Sequence, residues 1–293
     1  MIISASRRTD IPALYTEWFL RRLAAGSVRV PNPMNARQVR TISLRPGDVD
    51  GFVFWTKNPA PMTGRLAALG DIPLYFQCTL TPYGPELEPG LPDTAHRVAA
   101  LRRLSEQIGP DRVTWRYDPV LLGAGWTQER HEEAFGAIAH ALRGAVKGGV
   151  FSFLDRYRKI EGVLRTRGIE PWTDESMRGM AAGLARIAHA EGLTLETCAE
   201  PLDLSGLGIG HARCVDASRL GLTGAPKDPN QRGACGCAAS VDIGMYDSCV
   251  LGCAYCYANA GTAAAMRNHA AHDPDGDCLI PPRNPAGDTG FRT

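Results

Sequence analysis

Gly51-Phe52-Val53-Phe54-Trp55-Thr56-Lys57-Asn58-Pro59 is the stretch on which the reading of the fold turns. Its first part is almost wholly apolar, so both faces of an extended chain would be apolar. It stops abruptly on a polar cluster and a proline, and apolar residues resume at helical spacing from Met62 to Leu69. A short run that is apolar on both faces is a strand covered by helices, and the change of period marks the first covering helix. The same unit recurs on either side. Met1 to Ser6 forms a first strand ending at Arg7-Arg8-Thr9-Asp10, and Leu14 to Ala25 follows with helical spacing. The runs around Pro31 and Pro33, between Val28 and Leu44, are an excursion and not a further repeat. Strands are then expected at Pro73–Leu80, Arg112–Tyr117, Gly149–Leu154 and Leu193–Cys198, with helices at Asp93–Ile108, Glu129–Leu142 and Asp174–Ala190.

Alternating strands and helices imply a parallel sheet with right-handed crossovers. The fold class is therefore α/β, read as a full or partial TIM-like (β/α) barrel over residues 1–204. A cysteine-rich C-terminal segment over 205–293 would complete or cap it. A doubly wound open sheet is the alternative. In such barrels chemistry gathers where strands end. That rule selects Arg7, Arg8, Asp10, Lys57, Arg116, Asp118 and Glu200 as candidate catalytic residues. Asn58, Thr79, Thr81, Asp155 and Cys198 also follow strands, and any such residue can instead cap the next helix. The four basic groups on one rim suggest an anionic substrate or cofactor.

Composition narrows the classes. Hydrophobic residues make up 44% of the 293, enough for a large core. No stretch approaches about 18 uncharged apolar residues, so no membrane span is expected. The first residues read as a strand and not as a signal peptide, which points to the cytoplasm. A net charge of +1 argues against coating nucleic acid wholesale. Nine cysteines without an export signal point to metal binding or catalysis before disulfides.

Those cysteines cluster late. Cys249, Cys253 and Cys256 are separated by three and two residues, with Tyr255 before the third, so one tight loop can bring three thiolates to one metal centre. An iron–sulfur cluster or a zinc ion would suit that donor set. Upstream, Cys235 and Cys237 share a face of an extended segment. With Cys214 and Cys198 they would form a second four-thiolate site if they converge, or one of them would supply a fourth ligand to the first. Ser205-Gly206-Leu207-Gly208-Ile209-Gly210 is glycine-rich, and Gly206, Gly208 and Gly210 could wrap a phosphate or a carboxylate. The segment Ser240 to Tyr246 has strand character and Tyr257 to His269 helix potential, so the order there is strand, cysteine loop, helix. After His272, Pro274, Pro281, Pro282 and Pro285 read as a loop-like tail that covers the site or hangs free.

Nearly the whole chain resembles a bacterial and archaeal family known as domain of unknown function 1848. The likeness rests on Ile3 to Pro12, Phe54 to Pro59, Trp115 to Pro119, and Cys235-Gly236-Cys237 through Cys256-Tyr257-Ala258-Asn259. The family implies no established reaction. It does imply that its terminal cysteines are similar to the cluster motif of radical SAM enzymes, a likeness of about a dozen residues here. By that resemblance Cys249, Cys253 and Cys256 would hold three irons of a 4Fe–4S cluster. The fourth iron would bind S-adenosylmethionine, and one-electron cleavage would give a 5′-deoxyadenosyl radical. In those enzymes the cysteine unit is the first barrel repeat; here it is last, as if moved from one end of the chain to the other. No Gly-Gly-Glu follows a second strand, which weakens the cofactor's place more than the cluster's.

On that reading Tyr255 packs beside the cluster or the adenine. Arg7, Arg8, Lys57 and Arg116 bind an anionic small molecule, and Asp118 and Glu200 orient ribose hydroxyls or relay protons. Tyr117 and Cys198 are candidate hydrogen-atom donors, and a flavodoxin or ferredoxin is the implied electron donor. Two rivals stand beside it. One is a hydrolase or isomerase barrel with a structural metal site. The other is a nucleic-acid repair or modification enzyme using Arg102/Arg103, Arg156/Arg158/Lys159 and Arg165/Arg167 on phosphates.

Overall fold

The computed structural model describes residues 1–282. Eight of its strands form one sheet: β1 (Ile2–Ala5), β2 (Gly51–Thr56), β3 (Leu74–Thr79), β4 (Val113–Val120), β5 (Gly148–Phe153), β6 (Thr194–Thr197), β7 (Gly210–His211) and β8 (Val241–Asp242). Every pairing in it is parallel. The spatial order is β7-β6-β5-β4-β3-β2-β1-β8. Each strand thus lies beside its predecessor, and the last returns to lie beside the first. Among the described residues the sheet ends on β7 and β8, an arrangement compatible with a partial α/β barrel.

The longer helices are α1 (Thr16–Ala25), α2 (Thr94–Ile108), α3 (Gln128–Ala141), α4 (Asp174–Ala190) and α5 (Thr262–Ala270). Three of them start on side-chain caps. Asp93 accepts from the His96 N–H, Thr127 from Arg130, and Thr173 forms a capping box with Ser176. The expected helix from Leu14 to Ala25 is two pieces, because Asp10 caps a short turn at Ile11–Leu14 before α1 begins. The expected helix from Met62 to Leu69 is likewise a turn at Ala60–Thr63 and a 3-10 turn at Leu66–Leu69. The excursion after α1 is an antiparallel hairpin of Ser27–Asn32 and Asn35–Ser43, outside the main sheet.

Alternation along the strands divides the interior in two. Phe52 and Phe54 of β2, Phe76 of β3, and Trp115 and Tyr117 of β4 face the helices and meet Phe19, Leu104, Phe135 and Leu184. Phe54 stacks on Phe76 and Trp115 on Phe135, each with centroids 4.7 Å apart. The opposite face carries Ile2, Val53, Tyr75 and Val150. It is covered by the segment between β7 and β8, through Ala212, Val215, Leu220 and Ala238. The Tyr75 hydroxyl and Gln77 Nε2 both donate to the Cys214 carbonyl, at 2.9 and 3.0 Å, which fixes that segment across β3. Ile243, Leu279 and Ile280 join the helix-side core. Up to residue 282 the tail neither hangs free nor lines the strand-end cavity: Trp18 Nε1 donates to Gly276 O and the Arg29 N–H to Asp277 O. Pro285 lies outside the described residues. None of the described helices is long and apolar enough to cross a membrane.

His131 carries a testable consequence of this packing. Fully buried, its Nε2 donates to Leu121 O at 2.7 Å and its Nδ1 accepts from Tyr117 Oη at 2.8 Å, so the neutral ring is the one that fits. Burial lowers its pKa from 6.5 to about 4. Because the folded state resists the proton that the unfolded chain takes up, stability is intact above about pH 6.5 and falls as pH drops towards 4. The expected loss from this residue is about 2 kcal/mol at pH 5. Urea midpoints of the native protein and His131→Gln at pH 7 and pH 5 check it. A loss of the same size in both would remove His131 as its cause.

Candidate metal centre at the strand ends

A cavity of about 1000 Å³ opens at the carboxyl ends of the strands. Arg7, Arg8, Asp10, Lys57, Arg116 and Asp118 all line it, and so do Cys198, Cys214, Cys235, Cys237, Cys249, Cys253 and Cys256. Residues from β1 to β8 and the loops between them therefore converge on one space.

The cysteine loop reaches it because β8 pairs with β1. Asp242 clasps the two: its carboxylate accepts from Ser6 Oγ at 2.5 Å, from the Arg7 N–H at 2.9 Å and from the Gly244 N–H at 3.0 Å. The chain then runs through the three cysteines into α5, in the strand–loop–helix order the sequence implies. The loop docks on the segment after β3. The Gly90 N–H donates to Leu251 O at 3.0 Å and the Ala254 N–H to Leu87 O at 2.9 Å. A Cβ on Gly90 would stand 2.7 Å from that same carbonyl, so the close approach requires glycine.

Burial, with the nearby Asp10 charge, pushes the Cys249 thiol up to about 12, and only part of what surrounds these sulfurs favours the thiolate. Backbone N–H groups of Leu251 and Asp10 point at the Cys249 thiol, and the Ala258 N–H donates to Cys256 Sγ at 3.4 Å. Burial pushes the Cys253 thiol up, while the adjacent Lys57 ammonium favours its thiolate. Lys57 belongs to a buried network. Its Nζ lies 2.7 Å from Glu88 Oε1 and donates to Tyr255 Oη at 3.1 Å, and Tyr255 donates in turn to Glu88. Thr81 Oγ1 also donates to Glu88, and Arg97 Nη1 makes an ion pair with Glu88 Oε2 at 3.3 Å, although not aligned as a hydrogen bond. Burial alone would raise the Glu88 pKa, but the charges of Lys57 and Arg97 win and hold it below the usual range. One carboxylate thus faces two cations, of which Lys57 is the one that acts on Cys253.

Along the rim the basic residues are not equivalent. Lys57 is spent on Glu88. Arg116 is spent on Asp118 (2.5 Å), Gln77 (3.3 Å) and Cys214 Sγ (3.0 Å). Both therefore organise the site and are not free to meet an incoming anion. Arg7 is different: its Nε and Nη2 are buried without a hydrogen-bond partner. Arg7 and Arg116 both pack on Trp55, their guanidinium carbons 5.2 and 5.4 Å from its ring. Arg8 packs over Tyr246, 5.4 Å from that ring. Asp10 accepts from the Ala13 N–H at 2.9 Å and the Lys57 N–H at 2.7 Å, tying β1 to β2; burial raises its pKa to about 6.

Cys198, Cys214, Cys235 and Cys237 form a separate group. Cys198 and Cys214 have their sulfurs 3.3 Å apart, Cys214 also meets Cys237, and Cys237 meets Cys235. The ionisable neighbours of Cys249 and Cys253 include each other, Cys256, Asp10, Lys57 and Glu88, whereas those of Cys214 include Cys198, Cys237 and Arg116. Among the described residues, no three His, Cys, Asp or Glu side chains are set to hold a metal ion as they stand.

Other expectations fall elsewhere. Gly206, Gly208 and Gly210 are exposed and do not line the cavity; Gly208, at φ 73°, ends a 3-10 turn. Glu200 is buried behind the wall, accepting from the Phe153 N–H at 2.9 Å, and burial raises its pKa to about 7. The Tyr117 hydroxyl points to His131 on the helix side, away from any substrate, so it is no hydrogen-atom donor for this site. Arg102 is held by the carbonyls of Ala141 and Arg143, and Arg156 by Glu161 and Ile169 O. Sequence reasoning missed Glu88, Arg97, Trp55 and Asp242. A family model described as domain of unknown function (DUF1848) matches residues 2–258. No match was found among curated proteins or among solved structures.

Proposed function

The chain belongs to the family of domain of unknown function 1848, a description that assigns no reaction, and we propose from its own residues that it is an iron–sulfur enzyme of radical SAM-like type. The observation that carries this reading is the placement of Cys249, Cys253 and Cys256 in a strand–loop–helix unit beside β1, facing the strand-end cavity. In this proposal the sheet is a partial barrel whose cluster-bearing unit comes last in the chain and first in space.

Three thiolates leave a fourth coordination position to another ligand. The donor set suits iron–sulfur: soft sulfur ligands, backbone N–H groups on Cys249 and Cys256, and the Lys57 ammonium beside Cys253. The chemistry supplied there would be one-electron cleavage of the S-adenosylmethionine C–S bond, giving methionine and an adenosyl carbon radical. The protein's part is to position and to exclude. Lys57, shared with Glu88, would offset part of the negative charge of a thiolate-bound centre. Tyr255, held between Lys57 and Glu88, fixes the loop against the cavity wall. Arg7, with buried donors unpaired, is the residue that meets an anionic group of cofactor or substrate.

The test is an anaerobic preparation, reduced and examined by EPR before and after S-adenosylmethionine. A reduced 4Fe–4S signal that changes on addition is the expected result. A cluster signal indifferent to it would remove the cofactor and leave a redox or structural site. Zinc without iron after reconstitution would sink the reading as a whole.

A further inference from the structure

We propose that Cys198, Cys214, Cys235 and Cys237 bind a second, thiophilic metal centre, either a zinc ion or an iron–sulfur cluster, distinct from the three-cysteine loop. The proposal does not depend on the first centre or on S-adenosylmethionine.

Three separate stretches supply these residues: Cys198 follows β6, Cys214 follows β7, and the Cys235–Cys237 pair precedes β8. The fold draws them into one unbroken chain of contacts: Cys198 to Cys214 at 3.3 Å between sulfurs, Cys214 to Cys237, and Cys237 to Cys235. Packing alone does not explain this. Cys78 and Cys278 are also buried, and no other cysteine acts on either of them. A core that only needed small apolar groups would not gather four thiols from three loops.

The backbone around them is pinned. The Cys214 carbonyl is held by Tyr75 and Gln77. The Val215 N–H donates to Cys237 Sγ at 3.3 Å, and the Ala238 N–H to Val215 O at 2.8 Å, so the two cysteine stretches are stitched together. Arg116, 4% exposed, donates to Cys214 Sγ at 3.0 Å and lies against Cys198. Although Arg116 is shared with Asp118, its guanidinium against two sulfurs offsets part of the charge a four-thiolate site gains when its thiols give up their protons on binding. The sulfurs stand in a row and not around a point, and no three are placed for an ion as they stand. Metal binding here requires the side chains at the ends of the row, Cys198 and Cys235, to rotate towards a common centre.

Metal content of the full chain tests it. The variant Cys249→Ala/Cys253→Ala/Cys256→Ala, reconstituted without oxygen with ferrous iron and sulfide, or with zinc alone, is expected to keep about one centre per chain. Iron with matching sulfide identifies a cluster; zinc without sulfide identifies an ion. Adding Cys235→Ala and Cys237→Ala is expected to remove it. A triple variant that binds no metal overturns the proposal and leaves the first centre standing. Metal lost from Cys235→Ala/Cys237→Ala but fully kept by the triple variant would instead overturn the first centre. Should the alanine variants misfold, iodoacetamide labelling of the unmutated chain decides. Protection of these four thiols that a chelator lifts supports the site. Equal labelling with and without chelator, or disulfides between them, overturns it.

Discussion

Glu88→Ala is expected to lower the unfolding free energy by about 3–5 kcal/mol. The side chain is fully buried and faces Lys57 at 2.7 Å and Arg97 at 3.3 Å. Removing it leaves the buried Arg97 and the largely buried Lys57 with no anion between them, a far larger penalty than the loss of one hydrogen bond. Glu88→Gln keeps the shape but not the charge and is expected to lose nearly as much. Pairing Glu88→Gln with Arg97→Met removes one stranded cation and should recover part of the loss. Urea midpoints at constant slope measure all three. A loss below about 1 kcal/mol for Glu88→Ala would mean that water already reaches the network and that the charges are not buried in any energetic sense.

The second large effect concerns the metal. Cys253→Ala is expected to cut the iron held by the three-cysteine loop by more than about tenfold and to erase its reduced EPR signal. Cys253 is a third of the donor set and the member beside Lys57, so no neighbouring sulfur can replace it without moving the loop off Gly90. Cys78→Ala is the control. It removes the same chemical group from the helix-side face of β3, in a thiol that burial pushes well above its usual range, and should leave iron unchanged. Equal iron in Cys253→Ala and the native protein would show that this loop is not a metal ligand.

Much of the scaffold was legible because it depends on local period. The strands at Gly51 and Leu74, and the capped helix from Thr94, lie within a residue or so of where their apolar spacing puts them. The cysteine loop was legible because three cysteines sit within eight residues, Cys249 to Cys256. Strand-end position also selected Arg7, Asp10 and Arg116 correctly for the cavity wall. What was not legible depends on distance in the chain. Glu88 sits in a loop and Arg97 on the first turns of a helix; either alone reads as a solvated charge. Their burial follows only from Lys57, about thirty residues upstream, and from Tyr255 at the far end. Asp242 looks like any strand residue until β8 finds β1. The hairpin at 27–43 escaped because most of its second strand is exposed on both faces and so carries no hydrophobic period. Gly206, Gly208 and Gly210 misled because a turn and an anion cradle ask for the same residue.

The pairing of β1 with β8 also sets an order of events in time. Ser4 and Asp242 stand 238 positions apart. At about 5–20 residues per second of synthesis, the first strand emerges some ten to fifty seconds before its neighbour exists. Through that interval one edge of β1 is unpaired, with the aggregation hazard that an open edge carries. The three-cysteine loop is made later still. If the proposed centre is loaded there, the metal would reach a nearly finished chain, after the strands that wall its cavity have been made.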